Sequence, residues 1–404
     1  MTFIRSERVA AVLLLAAAIV GLVAANTPIG PWLMQLQGAH LAIPGTALDL
    51  SVGHWISDGL LAVFFFVVAV ELKNELSVGQ LNSVSKAVRP AIAALGGVLV
   101  PAVLYIVITA GSGYEGGWPI PTATDIAFAL GVLAVFGKGL PSRLRIFILA
   151  LAILDDIVAI VIIAVFFTQD PNLLFLLFAA VGVVAFGLLS RMLLRPTAPA
   201  TASASDLSRH RRRTVVVATL MVAIALVTWA LVYLSGVHAT IAGVALGLSM
   251  VRVPAMRVRH ALEPVTNGAI LPLFAFSAAL VAIPQVAVNE LAAPFWGILV
   301  ALPVGKIIGI TLGGWASSFV GRRDPKAQLG FQSFVTAGAL GGVGFTVSLL
   351  MNELAFARHP EVADEGTLAV LLGSTVSIVL SAVLVARLAR SYRLRRTAPV
   401  GVAE

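Results

Sequence analysis

Apolar residues run along this chain in long stretches without alternation, separated by short polar clusters. Twelve such stretches are found, at about 9–25, 57–76, 90–110, 121–137, 143–167, 173–192, 214–234, 237–250, 264–282, 292–314, 328–350 and 366–388. Most have about 17–25 residues, the length an α-helix needs to cross a hydrocarbon core of about 30 Å. Strands of a membrane barrel would instead alternate over about 10 residues. The pattern predicts an all-α polytopic membrane protein with twelve transmembrane helices. The first stretch follows Arg5 and Arg8 and ends at VAAN, which imitates a signal peptide. Its apolar run exceeds a usual signal-peptide core and reads as a retained first helix.

The polar clusters then sort by charge. Loops after stretches 1, 3, 5, 7 and 9 hold no Lys or Arg; of the 27 in the chain, all but Arg358 and Lys306 fall on the other side. By the positive-inside rule that side is cytoplasmic, and both termini with it. An odd number of crossings would split the termini, so count and charge agree. Residues 1–404 read as one transmembrane domain with a core at about 5–390 and a cytoplasmic tail at 391–404. The segment 195–213, RPTAPATASASDLSRHRRR, is rich in Pro, Ala, Ser and Thr and is expected to be a disordered basic cytoplasmic linker between two halves of six spans. Its RHRRR run reads as a topology signal, with contact to anionic lipid as the other reading. The outer loop from Asn26 to Ile56 carries Pro44 and Gly45 between weakly alternating flanks, a faint hairpin signal.

Composition narrows the function classes. The chain is 59% hydrophobic and 11% charged, against about 25% charged for a soluble domain. The net charge of +8 would suggest nucleic acid in a soluble protein, but here it follows from topology. There is no cysteine, which excludes disulfides, thiolate chemistry and Cys-ligated metals.

Against that background, LAILDDIVAI stands out. Asp155 and Asp156 sit near the centre of an otherwise apolar span, about 12 residues or roughly 18 Å of helix from Arg143. Each charge at a span centre costs about 2.5–3.5 kcal/mol on insertion scales, so the pair is too costly to keep without a use; the other reading ties both into structural ion pairs. Neighbouring helical residues point about 100° apart, so the two carboxylates have different surroundings. Lys306, in LPVGKIIGITLGG, is the one basic residue at comparable depth. It reads either as an exchange group coupled to an aspartate or as half of a static bridge. Gly305, Gly309 and Gly313 recur every four residues beside it, a spacing that lets helices approach closely.

Asp125 lies in GGWPIPTATDIAFALG. Pro119 and Pro121 disfavour helix before it, so WPIPT is expected to run extended through the outer half of the membrane, tolerated only inside protein or beside a water-filled cavity. The other reading is a plain outer loop with Asp125 at the interface. Gly338, Gly341, Gly342 and Gly344 weaken span 11 at its middle, or simply pack closely. Spans 4 and 11 are each second in a block of three, 3–5 and 10–12, and the blocks start on opposite sides. Broken helices at matching places in inverted repeats mark ion sites in secondary transporters, a generalisation drawn partly from the family named below. Asp125 could offset the positive helix ends at such breaks and Lys306 the negative ones. Glu71 and Glu75 share a helical face and read as a cation-attracting mouth or as interfacial charges. Asp58 falls at the outer end of span 2, and His238 at an outer interface reads as a structural hydrogen-bonding group.

ATDIAFALGVLA, LALAILDDIVAI, SGVHATIAG, LPLFAF, GKIIGI and GGVGFTVS resemble, in order and in span, NhaA-type sodium/proton antiporters over about residues 5–390. The resemblance implies discontinuous spans 4 and 11 crossing near the midplane. It implies that Asp155 and Asp156 form the cation and proton site, with Asp156 the more central sodium ligand, and that Lys306 pairs with Asp155. It also implies that Asp125 and Lys306 offset half-helix ends, that Thr124 lies beside the site, and that an outer hairpin helps form a homodimer. No cofactor is implied beyond transported Na+, Li+ and H+; the partners are membrane lipid and a second copy, not nucleic acid. The location implied is the bacterial inner membrane. One departure is RVRHALEP: His260 and Glu263 keep the family's polar character at the cytoplasmic mouth, but Arg259 stands where an acidic residue is usual, which unsettles any expected pH response.

The expected activity is electrogenic exchange of cytoplasmic Na+ for external H+, serving sodium extrusion and pH homeostasis. Protons and sodium would compete for one pair of carboxylates, and a site open to one side at a time turns competition into exchange. A channel or an electroneutral exchanger is the alternative. An intramembrane aspartyl protease is remote, since its Gly-x-Gly-Asp signature is absent.

Overall fold

A computed structural model describes residues 7–46, 48–79, 81–168, 170–194, 204–284, 287–320 and 329–397. Helices follow one another along the chain. The first half holds α1 (Glu7–Ala25), α2 (Gly30–Gly38), α3 (Val52–His54), α4 (Leu61–Ser77), α5 (Val84–Thr109), α6 (Ile126–Phe136), α7 (Ser142–Phe166) and α8 (Leu173–Arg191). The second holds α9 (Ala204–Leu234), α10 (Thr240–Ser249), α11 (Arg252–Val265), α12 (Leu271–Ala278), α13 (Ala293–Val300), α14 (Lys306–Ser317), α15 (Phe331–Gly341), α16 (Phe345–Ala355) and α17 (Pro360–Thr397). Short π turns join α3 to α4, α11 to α12 and α13 to α14. Strands β1 (His40–Ala42) and β2 (Asp49–Ser51) pair antiparallel, Leu41 opposite Leu50, about a turn in which Gly45 has φ +80°. The faint hairpin signal was thus real, whereas α2 before it had no clear signal.

Helical structure lies under each of the twelve apolar stretches. Among the described residues, eight helices are long and apolar enough to cross a membrane, or up to ten if each of two bent pairs is one span. Those pairs are α1 with α2, bent by 110°, and α15 with α16, bent by 52°. Two of the other stretches hold shorter helices. α10 has 10 residues, about 15 Å of helix, and the stretch 264–282 contains the end of α11, a π turn and the 8 residues of α12. The expected linker at 195–213 is helical from Ala204, where α9 begins; Arg and Leu in that run are good helix formers. Residues 195–203 lie outside the described residues. In the tail, α17 continues to Thr397, and residues 398–404 likewise lie outside.

The chain divides into two compact units, Met1–Leu33 with Gln80–Ile162 and Ala275–Glu404, and Met34–Gly79 with Ile163–Phe274. In the first, α14 packs along α5 and α15, and α17 lies against α13, α15 and α16. Its core joins Ala93, Leu144, Phe147, Leu151, Ile310 and Leu340. In the second, α10 packs against α4, α8 and α9, around Phe66, Val70, Phe186, Met221 and Met250.

The closest helix contact in the first unit follows from the glycine spacing. A Cβ on Gly313 would lie 2.6 Å from the Ile92 carbonyl oxygen, one on Gly305 2.8 Å from the Pro101 Cα, and one on Gly309 would overlap the Gly96 carbonyl. At Gly309 and Gly313, α14 therefore rests directly on the backbone of α5. Gly309→Val is expected to force these helices apart, costing at least the roughly 1–3 kcal/mol typical of overpacking. Thermal unfolding of detergent-purified protein by size-exclusion chromatography should show the loss, and an unchanged midpoint would contradict the packing.

Candidate ion-binding site

The site is built where α15 stops and α16 starts. Gly341 ends α15, Gly342 and Val343 turn the chain, and α16 begins at Phe345. A break buried among apolar side chains leaves backbone groups that need partners. They come from the segment before α6. The Asp125 N–H donates to the Val343 carbonyl at 2.6 Å. The Thr124 hydroxyl lies 2.8 Å from the carbonyl of Gly341, the last residue of α15. The backbone N–H and the hydroxyl of Thr346 both donate to Asp125 Oδ2, at 3.2 and 2.7 Å.

Asp125 is also the N-cap of α6, with extended backbone (φ −90°, ψ 104°), and its Oδ1 accepts from the Phe128 N–H at 3.2 Å. Asp is among the preferred N-caps. One carboxylate thus serves the positive ends of two helices, α6 and α16. The WPIPT stretch before it is not extended. It forms 3₁₀ turns at Glu115–Gly117 and Ile120–Thr122, and only Ala123 to Asp125 is stretched out. Pro121 falls in the first positions of the second turn, where no N–H is required.

Lys306 is the first residue of α14, after the π turn Ala301–Gly305. Pro303 in that turn has no N–H for an α-helical bond. The turn resets the helix register just before the lysine, and π turns often accompany functional positions. The Lys306 ammonium meets Asp155 Oδ2 at 2.6 Å with both side chains fully buried, and donates to Thr124 Oγ1 at 3.0 Å. Thr124 Oγ1 is in turn 2.6 Å from Asp155 Oδ2. The single hydroxyl proton of Thr124 serves either Asp155 or the Gly341 carbonyl, one at a time. Lys306 therefore reaches the carboxyl end of α15 only through Thr124.

Asp155 Oδ1 is buried and has no hydrogen-bond partner, which leaves its lone pairs for a proton or a cation. Asp156, next on α7, is also buried, at 8% exposure. Four of the expected residues, Thr124, Asp125, Asp155 and Lys306, are thus joined by direct or sequence-adjacent contacts, with Asp156 beside them. Thr346 was missed; a threonine two residues past a glycine-rich break was its only signal.

The other expected residues belong to the second unit. Arg259 Nη2 pairs with Glu71 Oε2 at 3.0 Å. Arg259 is thus locally offset, and Glu71 is not a bare attracting charge. His260 stands 3.6 Å from Glu263, one turn along α11, and Glu75 is half-buried on α4. Lys73 caps α10 by donating to the carbonyls of Leu248 and Met250, at 2.7 and 2.8 Å. His238 Nδ1 is 2.7 Å from the Thr240 hydroxyl, as a structural hydrogen bond requires, and its Nε2 faces Asp58 at 3.2 Å.

Long apolar helices, a break inside them and a buried carboxylate–ammonium pair at that break define a multi-pass membrane protein with a candidate ion site in its interior. A family model described as Na+/H+ antiporter 1 matches residues 1–385. The chain is 58% identical over 396 residues, 98% of its length and 93% of the relative's, to Na(+)/H(+) antiporter NhaA 2 of Clavibacter michiganensis subsp. michiganensis. It is 43% identical to Na(+)/H(+) antiporter NhaA of Tropheryma whipplei, over 98% of this chain and 97% of that one. With NhaA of Mycolicibacterium smegmatis the identity is 40%, over 96% and 88%. The chain belongs to this Na+/H+ antiporter family.

Removing one partner of the buried pair should be severe. Lys306→Met leaves Asp155 uncompensated and is expected to destabilise the protein by about 3–5 kcal/mol, whereas Asp155→Asn combined with Lys306→Met should recover most of the loss. Thermal unfolding of the three proteins checks it; equal melting of single and double variants would contradict the pairing.

Proposed function

We infer that this chain is a secondary transporter that exchanges cytoplasmic Na+ for external H+, with Li+ as a second cargo. The observation that carries the reading is the buried Asp155, with one oxygen on Lys306 and Thr124 and the other unpartnered, in a chain of the antiporter family. Sodium is a hard cation and takes oxygen ligands, as the divalent hard ions do. Asp156 is its principal ligand, and Asp155 joins when its bond to Lys306 loosens. Protonation removes the negative charge that attracts sodium, so the two ions compete. Thr124 and Asp125 hold the helix break that shapes the site. More than one titratable group in the site supports more than one proton per sodium, hence electrogenic exchange. The chemistry is transport and needs no cofactor.

The same reading has twelve spans in the bacterial inner membrane with both termini cytoplasmic, spans 4 and 11 discontinuous and spans 3–5 and 10–12 as inverted repeats. In its favour, residues of both blocks fall almost wholly within one compact unit. The exposed strand β1 favours a homodimer formed partly through the hairpin. Glu71, Glu75, Arg259, His260 and Glu263 set the pH response at the cytoplasmic mouth.

In everted membrane vesicles, Na+ should collapse a preformed pH gradient with wild type and fail to do so with Asp156→Asn at every pH. Retained sodium response in the variant would refute the central role of Asp156. Arg259→Ala is expected to keep the sodium response but move the pH at which it is half-maximal, because Glu71 loses its partner. An unmoved midpoint would remove Arg259 and Glu71 from pH sensing.

A further inference from the structure

α17 packs against both α15 and α16, and it turns fully buried serines, Ser374 and Ser377, toward them. Their positions differ in a telling way. Ser374 Oγ accepts the Phe345 N–H at 3.2 Å. Phe345 is the first residue of α16, so its N–H is one of the groups that a helix start leaves without an internal partner. Ser377, one turn further on, lies against Gly342, and its hydroxyl has no hydrogen-bond partner.

The next N–H of α16, that of Thr346, goes to Asp125. The start of α16 is therefore held at two consecutive residues, by a hydroxyl from α17 and by the carboxylate that caps α6. From Asp125 the chain passes to Thr124, and Thr124 touches both Asp155 and Lys306. A side chain on α17 is thus linked to the ion pair through one backbone N–H, one helix start and two adjacent residues, all within the first unit.

We propose that Ser374 is a positioning residue for cation exchange: by fixing the first N–H of α16 it holds Thr346 on Asp125, and so keeps Thr124 in place between Asp155 and Lys306. The proposal rests on the site reading above. Without the Ser374 hydroxyl, Phe345 has an unpartnered N–H at a buried helix end, and Asp125 alone must offset that end. The carboxylate is then drawn toward α16 and away from Phe128, and Thr124 moves with it. Ser377 supplies the matched comparison. It is as buried as Ser374 and sits on the same helix, but its hydroxyl holds nothing, so its removal does not disturb the site.

The test is the sodium concentration giving half-maximal gradient collapse in everted vesicles, measured across a pH series. Wild type, Ser374→Ala, Ser374→Thr, Ser374→Val, Ser377→Ala and Asp156→Asn are compared at matched amounts of folded protein. Ser374→Ala and Ser374→Val are expected to raise the half-saturating sodium about fivefold, the factor corresponding to a typical lost helix-cap bond, and to shift the pH profile. Ser374→Thr, which keeps the hydroxyl at the size of valine, should restore wild-type behaviour to within about twofold, and Ser377→Ala should match wild type. Unchanged half-saturation in Ser374→Ala overturns the proposal, as do equal shifts in Ser374→Ala and Ser377→Ala. If Ser374→Ala is not recovered folded, equal behaviour of the threonine and valine variants overturns it instead. Asp156→Asn separates the two levels: activity in that variant sinks the site reading, whereas its inactivity beside an unaffected Ser374→Ala sinks this inference alone.

Discussion

The interior of this protein depends on one constraint: a helix broken inside an apolar bundle must find partners for the backbone groups it frees. Apolar side chains supply none, and each group left bare costs about as much as a lost buried hydrogen bond. The break between α15 and α16 meets that demand with the segment Ala123–Asp125, which donates to Val343 and accepts from Thr346. That requirement explains why the segment is extended while proline-rich turns precede it. A regular helix there would turn its backbone groups inward on itself and offer nothing to the neighbouring break.

The same economy places the charges. Asp125 offsets two helix starts with one carboxylate, so a second acid is not needed there. Lys306 sits against Asp155 because α14 can lie directly on α5, and it can do so because Gly305, Gly309 and Gly313 have no side chains to hold the backbones apart. The ammonium then has a fixed position despite a long flexible stem. A glycine stripe is ordinary packing by itself; here it also fixes the depth and direction of the one buried lysine described.

Much of this was legible in the sequence because the signals were strong and local. Long apolar runs mark helices, and charged residues inside them are too costly to be incidental. Asp155, Asp156, Asp125 and Lys306 stand out on that ground, and the glycine spacing beside Lys306 foretells close packing. The misses are one local backbone conformation and several contacts between distant segments. Nothing in WPIPT separates a stretched strand from successive 3₁₀ turns, since proline fits both. Nothing in RVRHALEP reveals that Arg259 lies on Glu71 of another helix. Thr346 and Ser374 are common residues in common surroundings, and only the fold shows that they close the break.

The two adjacent aspartates now have a physical reason to differ. A helix turns by about 100° per residue, so only one of two neighbours can face α14. Asp155 does, and its charge is shared with Lys306 and with the Thr124 hydroxyl. A carboxylate so engaged is held in place and gives up its partner only when something positive replaces it. A proton on Asp155, or a cation between the two carboxylates, would do so, and either would free the ammonium. In the exchange proposed above, the pair would combine one acid that receives the incoming ion with one that reports its arrival to α14 and, through Thr124, to the break. Coupling in such a site would need no long pathway: Asp155, Lys306, Thr124 and the helix ends at the break lie within a few hydrogen bonds of one another.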